Sequence, residues 1–244
     1  MNSMKKAIVM GASSGIGRSV ALMLLKEGWH VGVAARRAEA LEEIRREFPG
    51  QVSTAVIDIT EPCATQCLED MISEMGGMDL YFHSSGYGRH NMSLDTAVEE
   101  RTVMTNAIGF TRMVDTAYRH FMLSGKKGHI AVISSIAGTK GLGAAPSYSA
   151  TKRFQWTYVE ALEQQARMNV ADITFTDIRP GFVDTDFIEG QKYPMLLDKD
   201  KVAKKIIAAL KNRRRSVTID FRYTILCFFW RLLPSWLWRR MRVC

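Results

Sequence analysis

Tyr148 and Lys152 stand four residues apart in the stretch YSATK, just after the turn-prone run GLGAAPS. If residues 147–168 form a helix, this spacing sets the phenol and the ammonium side by side on one face. An isolated tyrosine titrates near pH ~10 and passes protons poorly at neutrality. A positive charge a few ångströms away favours the phenolate and lowers that pKa, which makes the phenol a usable acid or base. The bland alternative is a packing aromatic beside a solvated lysine. Chance supplies such pairs often, so the weight must come from the rest of the chain.

A second group of residues could hold a phosphate. Gly11-Ala12-Ser13-Ser14-Gly15-Ile16-Gly17 follows the apolar run KKAIVM directly and opens the helical pattern RSVALMLLKEG. Glycines allow the tight turn and a close approach of backbone to ligand, and a helix N-terminus offers unpaired N–H groups to a pyrophosphate. The spacing is G-x-x-x-G-x-G instead of the usual dinucleotide G-x-G-x-x-G, so its position after a first strand carries the argument. The end of the next apolar run names the nucleotide. NAD binders usually place an acid there, against the ribose 2′-hydroxyl. This chain has Ala34-Ala35-Arg36-Arg37. Arginines grip a 2′-phosphate with paired, charge-assisted bonds, which favours NADP(H) and leaves NAD(H) possible. Two solvated charges at a helix start are the alternative.

The elements that position these groups follow from alternation. Seven short apolar runs (KKAIVM, WHVGVAA, QVSTAVI, MDLYFHSS, HIAVISS, ADITFTDI and SVTI) alternate with helical patterns, including one from Glu61, one around 96–123 and DKVAKKIIAALKN. Such alternation implies βαβ units, an α/β class and a parallel sheet covered on both faces. The 244 residues suit one large domain, and no Pro-, Gly- or Ser-rich linker divides them. The reading is a nucleotide-binding catalytic domain over 1–220 and a basic, aromatic tail over 221–244. Four scattered cysteines exclude a disulfide framework, and Cys63 with Cys67 lacks two further ligands for zinc. No signal peptide is evident and the expected compartment is a reducing cytoplasm.

Taken together, the glycine loop, Ser135 thirteen residues before Tyr148, and Lys152 stand in an order and spacing that resemble the short-chain dehydrogenase/reductase family. Asp58 in DIT, Asn106 in TNAIG, Gly86, and Pro180-Gly181-Phe182-Val183-Asp184-Thr185 extend the match over about residues 5–220. The resemblance implies a Rossmann-type, doubly wound sheet of seven parallel strands, and hydride transfer between nicotinamide and a carbonyl or alcohol carbon. It implies Tyr148 as general acid/base, Ser135 bonded to the substrate oxygen, and Lys152 on the nicotinamide ribose. Asn106 would anchor a water continuing the proton path from Lys152. Asp58 and Ile59 would meet adenine, and Val183 and Thr185 the carboxamide. Gly11, Ser13, Ser14, Gly15, Ile16, Gly17, Ser84, Gly86, Pro180 and Gly181 complete the expected cofactor contacts. A homodimer or homotetramer would pair the helices around 100–122 and 147–168. Two departures stand out: His83-Ser84-Ser85-Gly86 replaces an Asn-Asn-Ala-Gly stretch, and Met10 replaces a threonine. His83 reads as a buried structural histidine or as an extra catalytic group.

The tail and the substrate are less determined. Residues 213–244 hold eight arginines and one acid, Asp220, a net +7 against +1 for the preceding residues. The apolar run Tyr223–Trp230 is eight residues, short of the ~20 a bilayer span needs. The tail therefore reads either as an interfacial segment drawn to anionic lipid, a peripheral contact at an inner membrane face, or as a helix packed on the body or on a second subunit. Nucleic acid is not expected, since no binding motif accompanies the arginines. The stretch 186–200, with Phe187, Ile188, Tyr193, Met195, Leu196 and Leu197, resembles a substrate lid and favours an apolar carbonyl or alcohol. The rival readings are an epimerase or dehydratase on the same scaffold, and a nucleotide-binding sensor without turnover.

Overall fold

The computed structural model describes residues 4–185 and 195–243. The seven apolar runs become β1 (Lys6–Met10), β2 (His30–Ala35), β3 (Val52–Val56), β4 (Leu80–His83), β5 (Gly128–Ile133), β6 (Ile173–Arg179) and β7 (Ser216–Thr218). They form one sheet in the order β3-β2-β1-β4-β5-β6-β7, every pairing parallel. The winding reverses between β1 and β4, so the connections diverge there and leave a crevice at the carboxyl edge.

The helices in chain order are α1 (Gly15–Lys26), α2 (Ala38–Glu47), α3 (Ala64–Glu74), α4 (Thr96–Val103), α5 (Phe110–Ser124), α6 (Pro146–Met168), α7 (Lys199–Lys211), α8 (Phe221–Leu232) and α9 (Ser235–Trp238). β1 shows how both faces of the sheet are filled. Its side chains alternate, so Ala7 and Val9 join a core with α1 and α7, while Ile8 and Met10 join one with α3, α5 and α6. Pro146 opens α6 where a missing N–H leaves no bond unmade.

Two elements depart from the sequence reading. The helix expected from Glu61 begins at Ala64. Asp58 Oδ1 accepts from Thr60 N (3.0 Å) and Asp58 O from Glu61 N (3.1 Å), and these turn bonds hold the chain out of the helix. The helix expected over 96–123 is interrupted at Met104–Gly109 by a π-helical segment, which joins α4 to α5 and turns the Asn106 carbonyl toward α6.

Residues 221–243 lie against the body. Tyr223 is fully buried, and Cys227 and Trp238 nearly so. The Tyr223 hydroxyl accepts from Phe182 N (3.2 Å) and donates to Met195 O (3.0 Å). Lys140 Nζ donates to Leu233 O (3.0 Å) and Trp238 Nε1 to Gly141 O (2.7 Å).

Candidate active site

The carboxyl edge of the sheet opens onto a cavity of about 1010 Å³. Every site residue expected from the sequence lines it, except Gly17 and Asn106. Gly17 sits beneath the first turn: a Cβ there would come 2.2 Å from Gly11 O, so this glycine lets α1 pack closely on the turn after β1. Gly11 has φ +90° and a Cβ on it would meet Ser85 N at 2.7 Å, which leaves room for nothing larger.

At the β2 end, Arg37 Nε and Nη2 donate to Ser13 Oγ (3.3 and 3.2 Å), tying the arginine to the glycine loop. Arg36 Nη1 lies 3.9 Å from Asp58 Oδ2. Burial raises the Asp58 carboxyl, but bonds from Thr60 and the charges of Arg36 and Arg101 outweigh it and hold the carboxyl below its ordinary range. Two guanidinium groups thus flank the loop that a phosphate would approach.

On α6, Lys152 is almost wholly buried, with Nζ 5.7 Å from the centroid of the Tyr148 ring. Burial pushes the ammonium down to about 8, while the Asp177 charge pulls the other way. At neutral pH the cation persists beside the phenol. Lys152 Nζ donates to Ile133 O and to Gln155 Oε1, both at 3.0 Å. Gln155, fully buried, donates in turn through Nε2 to Asn106 O (2.9 Å). The side chain of Gln155 therefore links Lys152 to the Asn106 carbonyl. Asn106 itself clasps Tyr87, accepting from its N (2.8 Å) and donating to its O (2.6 Å), which fixes the loop before Gly88. A Cβ on Gly88 would strike Tyr148 Cδ2 at 2.3 Å, so this loop lies flat on the tyrosine ring.

Ser135 lies two residues beyond β5 in an extended conformation, and its Oγ accepts from Ala137 N (3.1 Å). That bond uses a lone pair and not the hydroxyl proton. Behind it Ser134 Oγ donates to Asp177, which also accepts from Arg179 Nε (2.6 Å). His83 does not line the cavity. It is buried against Phe110, with Nδ1 3.0 Å from Tyr81 OH, and burial drives its imidazole down to about 3, so it stays neutral.

The far wall comes from the chain's last helices. Tyr223, Leu226 and Trp230 of α8 line the cavity with Phe182 and Met195. A Cβ on Gly181 would meet the Tyr223 ring at 2.2 Å, so the backbone after β6 rests on that ring. Of the expected lid, Phe187, Ile188 and Tyr193 lie outside the described residues; Met195 faces the cavity and Leu197 packs beside Val183. Sequence reasoning missed Gln155, Gly88 and the α8 residues as parts of the site. Gln155 was findable, three residues beyond Lys152 on the same helix face.

The sequence profile described as short chain dehydrogenase matches residues 5–193. An uncharacterized oxidoreductase of Myxococcus xanthus is 32% identical over 199 residues, covering 79% of this chain and 78% of that one. Dehydrogenase/reductase SDR family member 7B of Bos taurus is 26% identical over 96% of this chain and 79% of its own. Among solved structures, "ElxO with NADP Bound" superposes with a TM-score of 0.80 at 22% identity, over 91% of this chain and 99% of that one. The fold and the site thus define a Rossmann-type nucleotide-binding oxidoreductase. The chain belongs to the short chain dehydrogenase family and is a dehydrogenase/reductase of the NAD(P)-dependent kind.

Proposed function

We propose that the chain is an NADP(H)-dependent enzyme that interconverts an apolar ketone or aldehyde and the corresponding alcohol. The observation that carries this reading is one cavity flanked by Arg36 and Arg37 at one end and by apolar walls at the other, with Tyr148, Lys152 and Ser135 between.

The residues suit the dinucleotide. Backbone at Gly11 and Gly15 leaves a cradle at the start of α1, and a Cβ on Gly86 would lie 3.7 Å from Lys152 Nζ, so the floor there is bare backbone. In this reading the Gly11–Gly17 turn takes the pyrophosphate, and Ser13, Arg36 and Arg37 the 2′-phosphate. Asp58 and Ile59 flank the adenine, and Lys152 and Ser84 meet the nicotinamide ribose. Pro180, Gly181, Val183 and Thr185 hold the nicotinamide end. When bound, the nicotinamide supplies or accepts the hydride. Ser135 donates its hydroxyl proton to the substrate oxygen and holds it toward Tyr148. Tyr148 then gives its proton to that oxygen in reduction and takes it back in oxidation. Lys152, cationic at neutrality, lowers the cost of the intervening phenolate. Asn106 acts on this group through Tyr87 and Gln155.

Phe182, Met195, Leu226 and Trp230 offer the substrate aliphatic and aromatic surface, which favours an apolar group beside the reacting carbon. The same reading gives assembly through α5 and α6; Phe154 of α6 and Ile108 of the π-helical segment that leads into α5 are exposed. It also gives a reducing compartment, in keeping with the unbridged Cys63, Cys67 and Cys227.

The test is NADPH oxidation, followed by absorbance, against a panel of apolar ketones and aldehydes. Tyr148→Phe should lose turnover by ~10²–10⁴-fold while still binding NADPH. Tight NADPH binding without turnover on any substrate would favour the sensor reading instead.

A further inference from the structure

Helix α8 carries two apolar faces, and among the described residues the fold covers only one. Tyr223, Cys227 and, in part, Leu226 and Trp230 turn inward. Phe221, Ile225, Phe228, Phe229 and Leu232 recur at the spacing of a single helical stripe. They are 72%, 51%, 59%, 59% and 63% exposed, and Trp236 of α9 is 62% exposed. No described helix is long and apolar enough to cross a membrane, so an apolar surface here can lie along a bilayer but not through it.

Charge decides what covers this stripe. Residues 213–244 carry a net +7, and Arg231, Arg239, Arg240 and Arg242 of the same segment are exposed, with the Arg240 guanidinium 5.8 Å from the Trp236 ring and that of Arg231 6.0 Å from the Trp156 ring of the body. A second copy would set one such cationic surface against another and be repelled. Phenylalanine, leucine and tryptophan flanked by arginine match a bilayer interface, where rings enter the headgroup boundary and guanidinium groups meet phosphate.

We propose that the α8–α9 face docks on the surface of a bilayer containing anionic phospholipid. The stripe enters the interface and the arginines remain at headgroup level. Because Leu226 and Trp230 of the same helix line the catalytic cavity, docking brings that cavity within a helix diameter, ~10 Å, of the lipid. This places the substrate, on the reductase reading above, among carbonyl or hydroxyl compounds that partition into bilayers.

The full-length protein should co-sediment with phosphatidylcholine vesicles containing phosphatidylglycerol, and binding should weaken as salt is raised. The double variant Phe228→Glu/Phe229→Glu should lose at least tenfold in vesicle affinity, with its circular dichroism and NADPH affinity unchanged. Arg239→Glu/Arg240→Glu, which leaves the stripe intact, should lose binding to the anionic vesicles by a similar factor. No sedimentation with either vesicle would overturn the proposal. So would equal binding to pure phosphatidylcholine, or a dimer that dissociates in the Phe228→Glu/Phe229→Glu variant while the wild type ignores vesicles. Docking without NADPH turnover would leave this inference standing and remove the reductase reading, so the two fail separately.

Discussion

The two ends of the cavity are assembled in different ways. At the end proposed for the cofactor, Gly11, Ser13, Arg36, Arg37 and Asp58 sit in the turns that follow β1, β2 and β3, where Arg37 bonds to Ser13 and Arg36 pairs with Asp58 across neighbouring turns. At the end proposed for the substrate the wall is stitched from distant chain. Phe182 N bonds Tyr223 OH across 41 residues, Lys140 bonds Leu233 across 93, and Trp238 bonds Gly141 across 97. Turns at strand ends are set by local backbone chemistry and come with the fold. A wall made of a late helix depends on a few anchoring contacts, and it can change shape or chemistry without disturbing the sheet.

The largest effect that would test this contrast falls on Tyr223. Its ring fills a fully buried site under Gly181, and its hydroxyl joins the segment after β6 to Met195. Tyr223→Ala should cost ~3–5 kcal/mol of stability, as for other large buried rings. Tyr223→Phe keeps the packing and should cost only ~1 kcal/mol. Urea unfolding measures both. In the folded fraction the KM for a carbonyl substrate should rise while NADPH affinity barely moves, since only one end of the cavity has lost its wall. Equal losses at both ends would mean the two are one mechanical unit.

The converse change belongs to the arginines. On the NADP(H) reading, Arg36→Ala/Arg37→Ala removes charge-assisted contacts to the 2′-phosphate and should weaken NADPH binding by ~1.5–3 kcal/mol, roughly 10- to 150-fold, leaving NADH binding nearly unchanged. Fluorescence titration with each nucleotide reads it. If both nucleotides weaken together, the arginines brace the loop through Ser13 and do not select a phosphate.

This division also explains what the sequence made legible. Strands, helices and the cofactor turns were readable because hydrophobic alternation and glycine placement are local signals; β1 runs from Lys6 to Met10 and the loop begins at Gly11. The π-helical segment at Met104–Gly109 was not readable, because a helical pattern with one extra residue per turn still looks helical. Nor was the inward turn of Tyr223, Leu226 and Trp230. The tail's composition spoke of an apolar, basic helix, but which stripe would face the body depends on Gly181 and Phe182, which meet it only in the folded chain. Gly88 was silent for the same reason: its need for a bare Cα appears only once the Tyr148 ring lies across it.

Gln155 offers the finest probe, since it sits between the proposed acid/base pair and the scaffold. Its Oε1 accepts from the Lys152 ammonium, which burial has already pushed down to about 8. An acceptor at that atom favours the charged form, so removing it in Gln155→Leu should lower the lysine pKa further. The cation that supports the phenolate would then be lost at a lower pH. The alkaline limb of the kcat/KM profile should move down by about one pH unit, the equivalent of one bond to a charged group. Gln155→Glu puts a carboxylate in the same place and should move that limb upward. If Gln155 only propped α6 against the π-helical segment, both variants would depress kcat/KM at every pH and leave the limb where it was. Opposite shifts from two substitutions at one buried position would instead tie the side chain to the proton chemistry of Tyr148 and Lys152.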